Sequence, residues 1–456
     1  MVNNRYFSDY DMNQGLKLSF HGEIYNHEEI NKFLNSYYDI DYLYNSKLLL
    51  NLIYLLLNNE VNDLVNHFKE NEDYKFVFSD DGSIKPKFNF LTAVLYASMI
   101  VNGDFVFSIS DSENTAISRD VIGSYLLYYG KNNKLLFTND RKTLKSESIS
   151  DIKTFKPGYV MFNNELYPPL NPPWKRITNN NLNNGNSLNY NESKNNLIQL
   201  LKQSVNMRID GLEEVGLFFS GGVDSTTIAK TLKDNGELYI KLFTVGVENS
   251  KDLEISKRIA EDLNLDLRYS VVNEEIIKSE FEDFLNIIEK GNIVDYGVGM
   301  TMHLTSKLAV DEGLKTILTG QGADELFGGY NRYLNIYAQN KNFLNDEFRK
   351  DIEFMYEVNL KRDVAIANFN NLNFRSPFLD KDFIRFALTL PVEFKIESSD
   401  DKLRKHILRD VAIDLGVPSY IARRPKKAAQ YGSGIHKILK TFLKKGSTGN
   451  NRKIFF

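Results

Sequence analysis

The 456-residue sequence contains no cysteine, which excludes disulfides, thiolate metal sites and any mechanism that rests on a Cys nucleophile. It also lacks an excess of either charge: 56 Lys and Arg stand against 60 Asp and Glu, for a net charge of -4. A nucleic-acid partner, which normally needs a basic face, is therefore not expected, although a small anionic substrate remains compatible. Long apolar runs are missing too. The longest, residues 48–57, is interrupted by Asn51 and falls well short of the ~20 residues that cross a bilayer, so it reads as a core helix and no membrane partner is expected. Met1-Val2-Asn3-Asn4-Arg5 leads into no apolar run of signal type, and a cytoplasmic location follows as an expectation. What is abundant is core-forming material: 42% of residues are hydrophobic, enough for two domains of unequal size.

Along the chain the pattern changes character once. From Leu16 to about Trp174, short apolar or alternating runs separated by Gly, Asn and Asp predict strands over 16–24, 104–110, 114–118, 126–130, 135–138 and 159–162. Helical spacing over 28–34 and 47–57 makes this first domain, 1–175, α+β rather than all-β. An Asn-dominated stretch that begins after Pro172-Pro173 has too little apolar content to pack and reads as a linker, 176–192. The remainder, 193–456, alternates strand and helix, with strands over 215–219, 240–247, 267–272 and 316–319. Helices are predicted over 192–209, 251–263, 275–288 and 302–312. This alternation predicts a parallel sheet wrapped by helices. Beyond Tyr330 the chain is expected to be largely helical, ending in a solvated basic tail, 437–453.

Two Gly-rich segments carry chemistry. Ser220-Gly221-Gly222-Val223-Asp224-Ser225 follows a buried strand and precedes a helix expected to start near Thr226. Two glycines admit close approach of a phosphate, hydroxyls add donors, and the helix N-terminus supplies unpaired N-H groups. An acidic residue there would repel a phosphate unless a cation lay between them, so Asp224 implies Mg²⁺. Thr319-Gly320-Gln321-Gly322-Ala323-Asp324-Glu325-Leu326-Phe327-Gly328-Gly329-Tyr330 sets four glycines around an Asp-Glu pair, a poor sequence for regular structure and a good one for wrapping a phosphate or metal.

The first segment resembles the pyrophosphate loop of the ATP pyrophosphatases, a group that includes asparagine, GMP, NAD and argininosuccinate synthetases. The second resembles the nucleotide and metal loop of asparagine synthetases in particular. The resemblance implies ATP and Mg²⁺ as cofactors, with Asp224 and Asp324 holding Mg²⁺ and pyrophosphate. It also implies that Phe219, Ser220, Gly221, Gly222, Ser225, Val245, Thr319 and Gly320 line the nucleotide. Further matches follow: Arg375-Ser376-Pro377-Phe378-Leu379-Asp380, where Asp380 is suited to cap a helix from Lys381; Lys405-His406-Ile407-Leu408-Arg409; and the late basic loop Arg424-Pro425-Lys426-Lys427. Lys427, or Lys426 beside it, is expected to offset charge at the α-phosphate.

Phe20-His21-Gly22-Glu23-Ile24-Tyr25-Asn26-His27 is similar to the opening strand of class II glutamine amidotransferase domains, and Gly103-Asp104-Phe105, Arg119-Asp120-x-x-Gly123, Leu127-Tyr128-Tyr129 and Pro157-Gly158 continue the match. The implied fold is an αββα sandwich. Its glutaminase chemistry is expected to be lost. The family's Cys nucleophile is absent, Val2 offers no hydroxyl in its place, His21 stands where the oxyanion-binding Asn belongs, and Asn45 replaces the Asp that holds the glutamine amine. With Leu16 starting the first strand, too few residues precede it for the glutamine-carboxylate loop.

The resemblance thus implies an AMP-forming carbon-nitrogen ligase, acting on a small-molecule carboxylate, aspartate first, with ammonia or an amine as donor; a homodimer is left open. Asparagine synthetases usually carry Glu, and β-lactam synthetases Tyr, where Gln321 sits. Gln cannot take a proton at neutral pH but can hydrogen-bond an ammonium or amide. The rival readings are an amide ligase for another substrate, of β-lactam synthetase type, and a nucleotide-binding protein without catalysis.

Overall fold

A computed structural model describes residues 9–13, 15–37, 41–58, 88–175, 188–236, 238–288, 292–425 and 432–446. Two units, 1–175 and 176–456, each fold around their own contacts.

The first unit contains β1 (Asp9–Asn13), β2 (Leu16–Ile24), β3 (Gly103–Ser110), β4 (Thr115–Arg119), β5 (Tyr128–Lys131), β6 (Leu135–Thr138), β7 (Lys153–Thr154), β8 (Val160–Phe162) and β9 (Glu165–Tyr167). Six of these form an antiparallel sheet in the order β1-β2-β3-β4-β8-β9, and three form a second, β6-β5-β7. Strand alternation assigns neighbouring residues to opposite faces, and the cores follow it. Phe107, Ala116 and Val160 point into a cluster with the helices His27–Asn35, Asn45–Asn58 and Phe90–Ile100. Their neighbours Val106, Ile117 and Met161 meet Leu127, Phe137 and Phe155 from around the smaller sheet, against whose strands the helix Arg141–Ser146 packs. The layering is helix, sheet, sheet, helix. A strand at Asp9 precedes Leu16, which corrects the expectation that the first strand begins there. The helix Phe90–Ile100 also escaped the sequence reading; it is apolar almost throughout, without a clean face, and begins at Asn89, whose Oδ1 accepts from Thr92 N at 2.8 Å.

The second unit is a five-stranded parallel sheet in the order β12-β11-β10-β13-β14, made of β10 (Glu214–Phe218), β11 (Tyr239–Gly246), β12 (Asp266–Val271), β13 (Thr316–Leu318) and β14 (Asn373–Arg375). The chain leaves β10 toward β11 on one side and returns to β13 on the other, so the C-terminal ends of β10 and β13 flank a topological switch point, where α/β sheets place ligands. Several element boundaries differ from expectation. The helix Tyr190–Ile209 starts inside the expected linker because Asn189 caps it, accepting from Asn191 N and Glu192 N; residues 176–187 lie outside the described ones. The helix Ile293–Asp311 begins well before Met302, set by a capping box of Asn292 and Asp295. Gly297 and Gly299 had obscured its start; a Cβ on Gly297 would lie 2.9 Å from His436 Nδ1, and one on Gly299 2.7 Å from Ile288 Cδ1. The expected basic tail is in part the helix Ile435–Gly446, which buries Ile435, Leu439 and Leu443 in a cluster with Phe284 and Met300.

Candidate functional site at the ends of β10 and β13

The first loop is built for close approach. Phe219 extends β10, its N-H donating to Phe243 O at 2.8 Å, and its side chain is buried. Gly221 then turns at φ +64°, where a Cβ would lie 2.7 Å from Ile255 Cγ2, and Gly222 caps the helix Val223–Lys233. The helix thus starts before Thr226 and carries Asp224 in its first turn. Ser220 Oγ faces Ser225 Oγ at 3.4 Å, and Thr226 Oγ1 donates to Gly222 O at 2.8 Å. On the neighbouring strand, Val245 is buried in an apolar cluster with Ile277, Ile435 and Leu439. The side chains of Phe219 and Val245 are thereby committed to the core, and what they can offer a nucleotide is main chain.

The second loop departs from expectation in having regular structure. Gly322 (φ 93°) and Gly328 (φ 74°), both left-handed, bracket a short helix, Ala323–Phe327. Thr319 N donates to Arg375 O at 2.9 Å and its hydroxyl meets Ser376 Oγ at 3.0 Å, which ties the loop to the segment before Asp380. As the sequence suggests, Asp380 caps the helix Lys381–Thr389, and it also forms a buried ion pair with Arg208 at 3.1 Å. The two loops touch: a Cβ on Gly320 would lie 3.3 Å from Asp224 Cβ.

Asp224 and Asp324 converge on one side chain. Lys405 Nζ lies 2.8 Å from both Oδ1 and Oδ2 of Asp224 and 2.5 Å from Asp324 Oδ1. Lys405 is fully buried, whereas the two aspartates retain some exposure. Sequence reading placed Lys405 only within a motif and assigned it no role. Its backbone is as constrained as its head group: Arg404 and Lys405 both adopt positive φ, 52° and 57°. Asp401 Oδ1 accepts from Leu403 N and Arg404 N, each at 2.9 Å. Arg409, buried, donates to the carbonyls of Leu403, Arg404, Ala422 and Arg424. Burial, opposed by the charge of Asp224, pushes Arg409 down to about 10. Lys426 and Lys427 lie outside the described residues.

Beside this centre stand two further buried carboxylates. Glu325 accepts from Tyr330 OH at 2.6 Å and from Asn359 Nδ2 at 3.3 Å; burial, with the charge of Asp324, raises its pKa. Asp363 accepts from Gln321 Nε2 at 2.5 Å and from Arg362 Nε at 2.8 Å. Burial raises its pKa and Arg362 opposes the rise. Nothing in the sequence signals Asp363, which sits in the first turn of the helix Lys361–Phe369.

The donor set fits a divalent cation. Two carboxylates on adjacent loops already surround one positive charge, and Mg²⁺ typically takes one or two carboxylates together with substrate phosphates. Among the described residues no group of three or more His, Asp or Glu forms a self-sufficient metal cage, so the phosphates would have to complete the shell.

In the first unit, the motif residues serve mainly structure. Arg119 is buried and donates to Phe155 O and Gly123 O. Asp120 accepts from the N-H groups of Ile122, Gly123 and Ser124. Asn45 Oδ1 accepts from Ile24 N at 3.2 Å, and the ring of His21 sits edge-on to Tyr125 at 4.5 Å.

The family model for asparagine synthase matches residues 196–344 and 337–451. An asparagine synthetase-type protein of Methanocaldococcus jannaschii, named glutamine-hydrolysing, is 35% identical over 401 residues, covering 76% of this chain and 72% of that protein. Glutamine-hydrolysing asparagine synthetase 1 of Arabidopsis thaliana is 27% identical over 367 residues, 74% of this chain and 59% of its own length. Among solved structures, an NMN synthetase of Francisella tularensis aligns over 59% of this chain and all of its own, at 11% identity and a TM-score of 0.31, too slight to bear on fold or function. With both Gly-rich loops inside the matched span, the chain belongs to the asparagine synthase family.

Proposed function

We propose that the chain is an ATP-dependent ligase that activates a carboxylate, aspartate first, as an acyl-adenylate and passes it to ammonia or another amine. The observation that carries this reading is the meeting of Asp224 and Asp324 around a single ammonium group at the switch point of a parallel sheet. Main-chain N-H groups at the start of the helix Val223–Lys233 and the hydroxyls of Ser220 and Ser225 would receive the pyrophosphate. Asp224 and Asp324 would hold Mg²⁺, which when bound neutralises phosphate charge. Lys405 then stands ready to turn from the aspartates to the phosphates, and Lys427 or Lys426 to offset charge at the α-phosphate. The substrate carboxylate forms a bond to the α-phosphorus as the bond to the bridging oxygen breaks, releasing pyrophosphate. The amine next forms the amide and AMP leaves.

Glutamine is not expected to serve as nitrogen donor. The chain has no cysteine, His21 is turned against Tyr125, and Asn45 is engaged with the backbone of Ile24. Pyrophosphate release from ATP, measured over a panel of carboxylates with ammonia, with glutamine, and with neither, tests all of this. Turnover with aspartate and ammonia supports the reading, turnover confined to another acid moves it to a different substrate, and silence with every acid sinks it.

A further inference from the structure

We propose that Asp363 is a positioning residue for the nitrogen-accepting step: it fixes the side-chain amide of Gln321 so that the carbonyl oxygen, and not the amide nitrogen, is presented to the incoming amine. This rests on the ligase reading above. Gln321 lies between Gly320 and Gly322, and Gly320 packs against Asp224, so its side chain leaves the backbone at the margin of the phosphate site. It reaches Asp363, whose two oxygens are both occupied. Oδ1 accepts from Arg362 Nε at 2.8 Å, and Oδ2 accepts from Gln321 Nε2 at 2.5 Å. Arg362 is held from its other side by Asp295 at 3.5 Å, at the start of the helix Ile293–Asp311.

The chemistry of the pair leaves one arrangement. Oδ1 of Asp363 is taken by the Arg362 guanidinium and Oδ2 by Gln321 Nε2, so in this ion pair the carboxylate accepts on both oxygens and the amide turns its NH₂ toward it. The geminal oxygen Oε1 is then the polar atom left for a ligand, and it too only accepts. An amine or ammonium has N-H groups to give and suits it; a carbonyl or carboxylate does not. Without Asp363 nothing holds that orientation, and the amide turns a donor toward the ligand instead. Because Asp363 is engaged twice, it acts on the nucleophile only through Gln321.

The test compares Asp363→Asn and Asp363→Leu with the unsubstituted protein in two assays. One is carboxylate-dependent exchange of pyrophosphate into ATP, which needs no amine; the other is amide formation as a function of ammonia concentration. Both variants should raise the KM for ammonia roughly tenfold or more while exchange stays within about twofold. Equal losses in the two assays, or an unchanged KM, would overturn the proposal. Should Asp363→Leu misfold because it strands Arg362, Asp363→Asn retains the shape and decides alone. A reading free of turnover is the ¹⁵N-¹H signal of the Gln321 side-chain amide, identified by its disappearance in Gln321→Glu. It should lie downfield of ordinary glutamines and return toward them in both Asp363 variants. An ordinary shift in the unsubstituted protein overturns the proposal whatever the substrate. A displaced signal with no exchange on any carboxylate overturns the ligase reading and the role with it, whereas exchange with an unmoved KM overturns the role alone.

Discussion

Lys405 carries a balance of charge that can be measured without knowing the substrate. Removing its ammonium takes a positive charge from between Asp224 and Asp324, whose repulsion is partly screened by the solvent that reaches both. Lys405→Met should lower stability by about 1–3 kcal/mol in metal-free buffer. Millimolar Mg²⁺ should raise the variant's Tm more than it raises that of the unsubstituted protein. An equal response of both proteins would argue that the aspartates do not draw a cation. Lys395 shows the opposite circumstance: it is fully buried, its Nζ finds no hydrogen-bond partner among the described residues, and it lies 4.7 Å from the centre of the Phe348 ring. Burial, aided by Arg349, pushes it down to about 7 from an ordinary 10.5. The folded protein therefore sheds this proton at lower pH than the unfolded chain, and the lysine's contribution to stability improves as pH rises from about 7 to about 10.5. Lys395→Met should be more stable than the parent at pH 6, by thermal unfolding, with the advantage shrinking toward pH 10.

At the scale of elements, the two Gly-rich loops were legible because their composition is the signal: glycine where φ must be positive or a Cβ has no room. The helical turn within the second loop was not, since Ala323–Phe327 is a single turn that exists only between two left-handed glycines. Gly329 adds a constraint of its own. A Cβ there would lie 1.8 Å from Asp324 Oδ1 and 2.5 Å from Lys405 Cε. Gly329→Ala should therefore displace both groups, abolishing nucleotide-dependent stabilisation while the far-ultraviolet circular dichroism stays native; retained stabilisation by ATP and Mg²⁺ would count against the site. The pairing of Lys405 with the aspartates, and of Asp363 with Gln321, joins residues far apart in the chain. No local pattern marks either, because the match is made by folding and not by spacing.

For the molecule as a whole, the parallel sheet followed from the alternation of strand and helix and the layering of the first unit from its motif resemblance, while helix starts shifted where a cap or a packed glycine overrode periodicity, as at Asn292. Each unit has its own apolar cores, and chains of more than one domain depart from a single all-or-none transition. The pH responses of the two units should separate too. Asp120 in the first unit is raised to about 6, by burial and then by the neighbouring charge of Asp104. Its folded form holds a proton the unfolded chain has lost, so it contributes stability below about pH 4 that disappears as pH rises through 6. Asp120→Asn should flatten that slope in one calorimetric transition, and Lys395→Met should alter only the other. A single transition moved by both substitutions would contradict this.

The paired left-handed residues at 404 and 405 bear on how the position can drift. Backbone geometry alone would favour glycine or asparagine at 405, and electrostatics alone demands a long cation. Few replacements answer both requirements. Saturation mutagenesis scored separately for abundance and for ATP turnover should rank Gly and Asn above the other uncharged replacements on the first scale and low on the second, so the lineage leaving lysine here has no neutral first step.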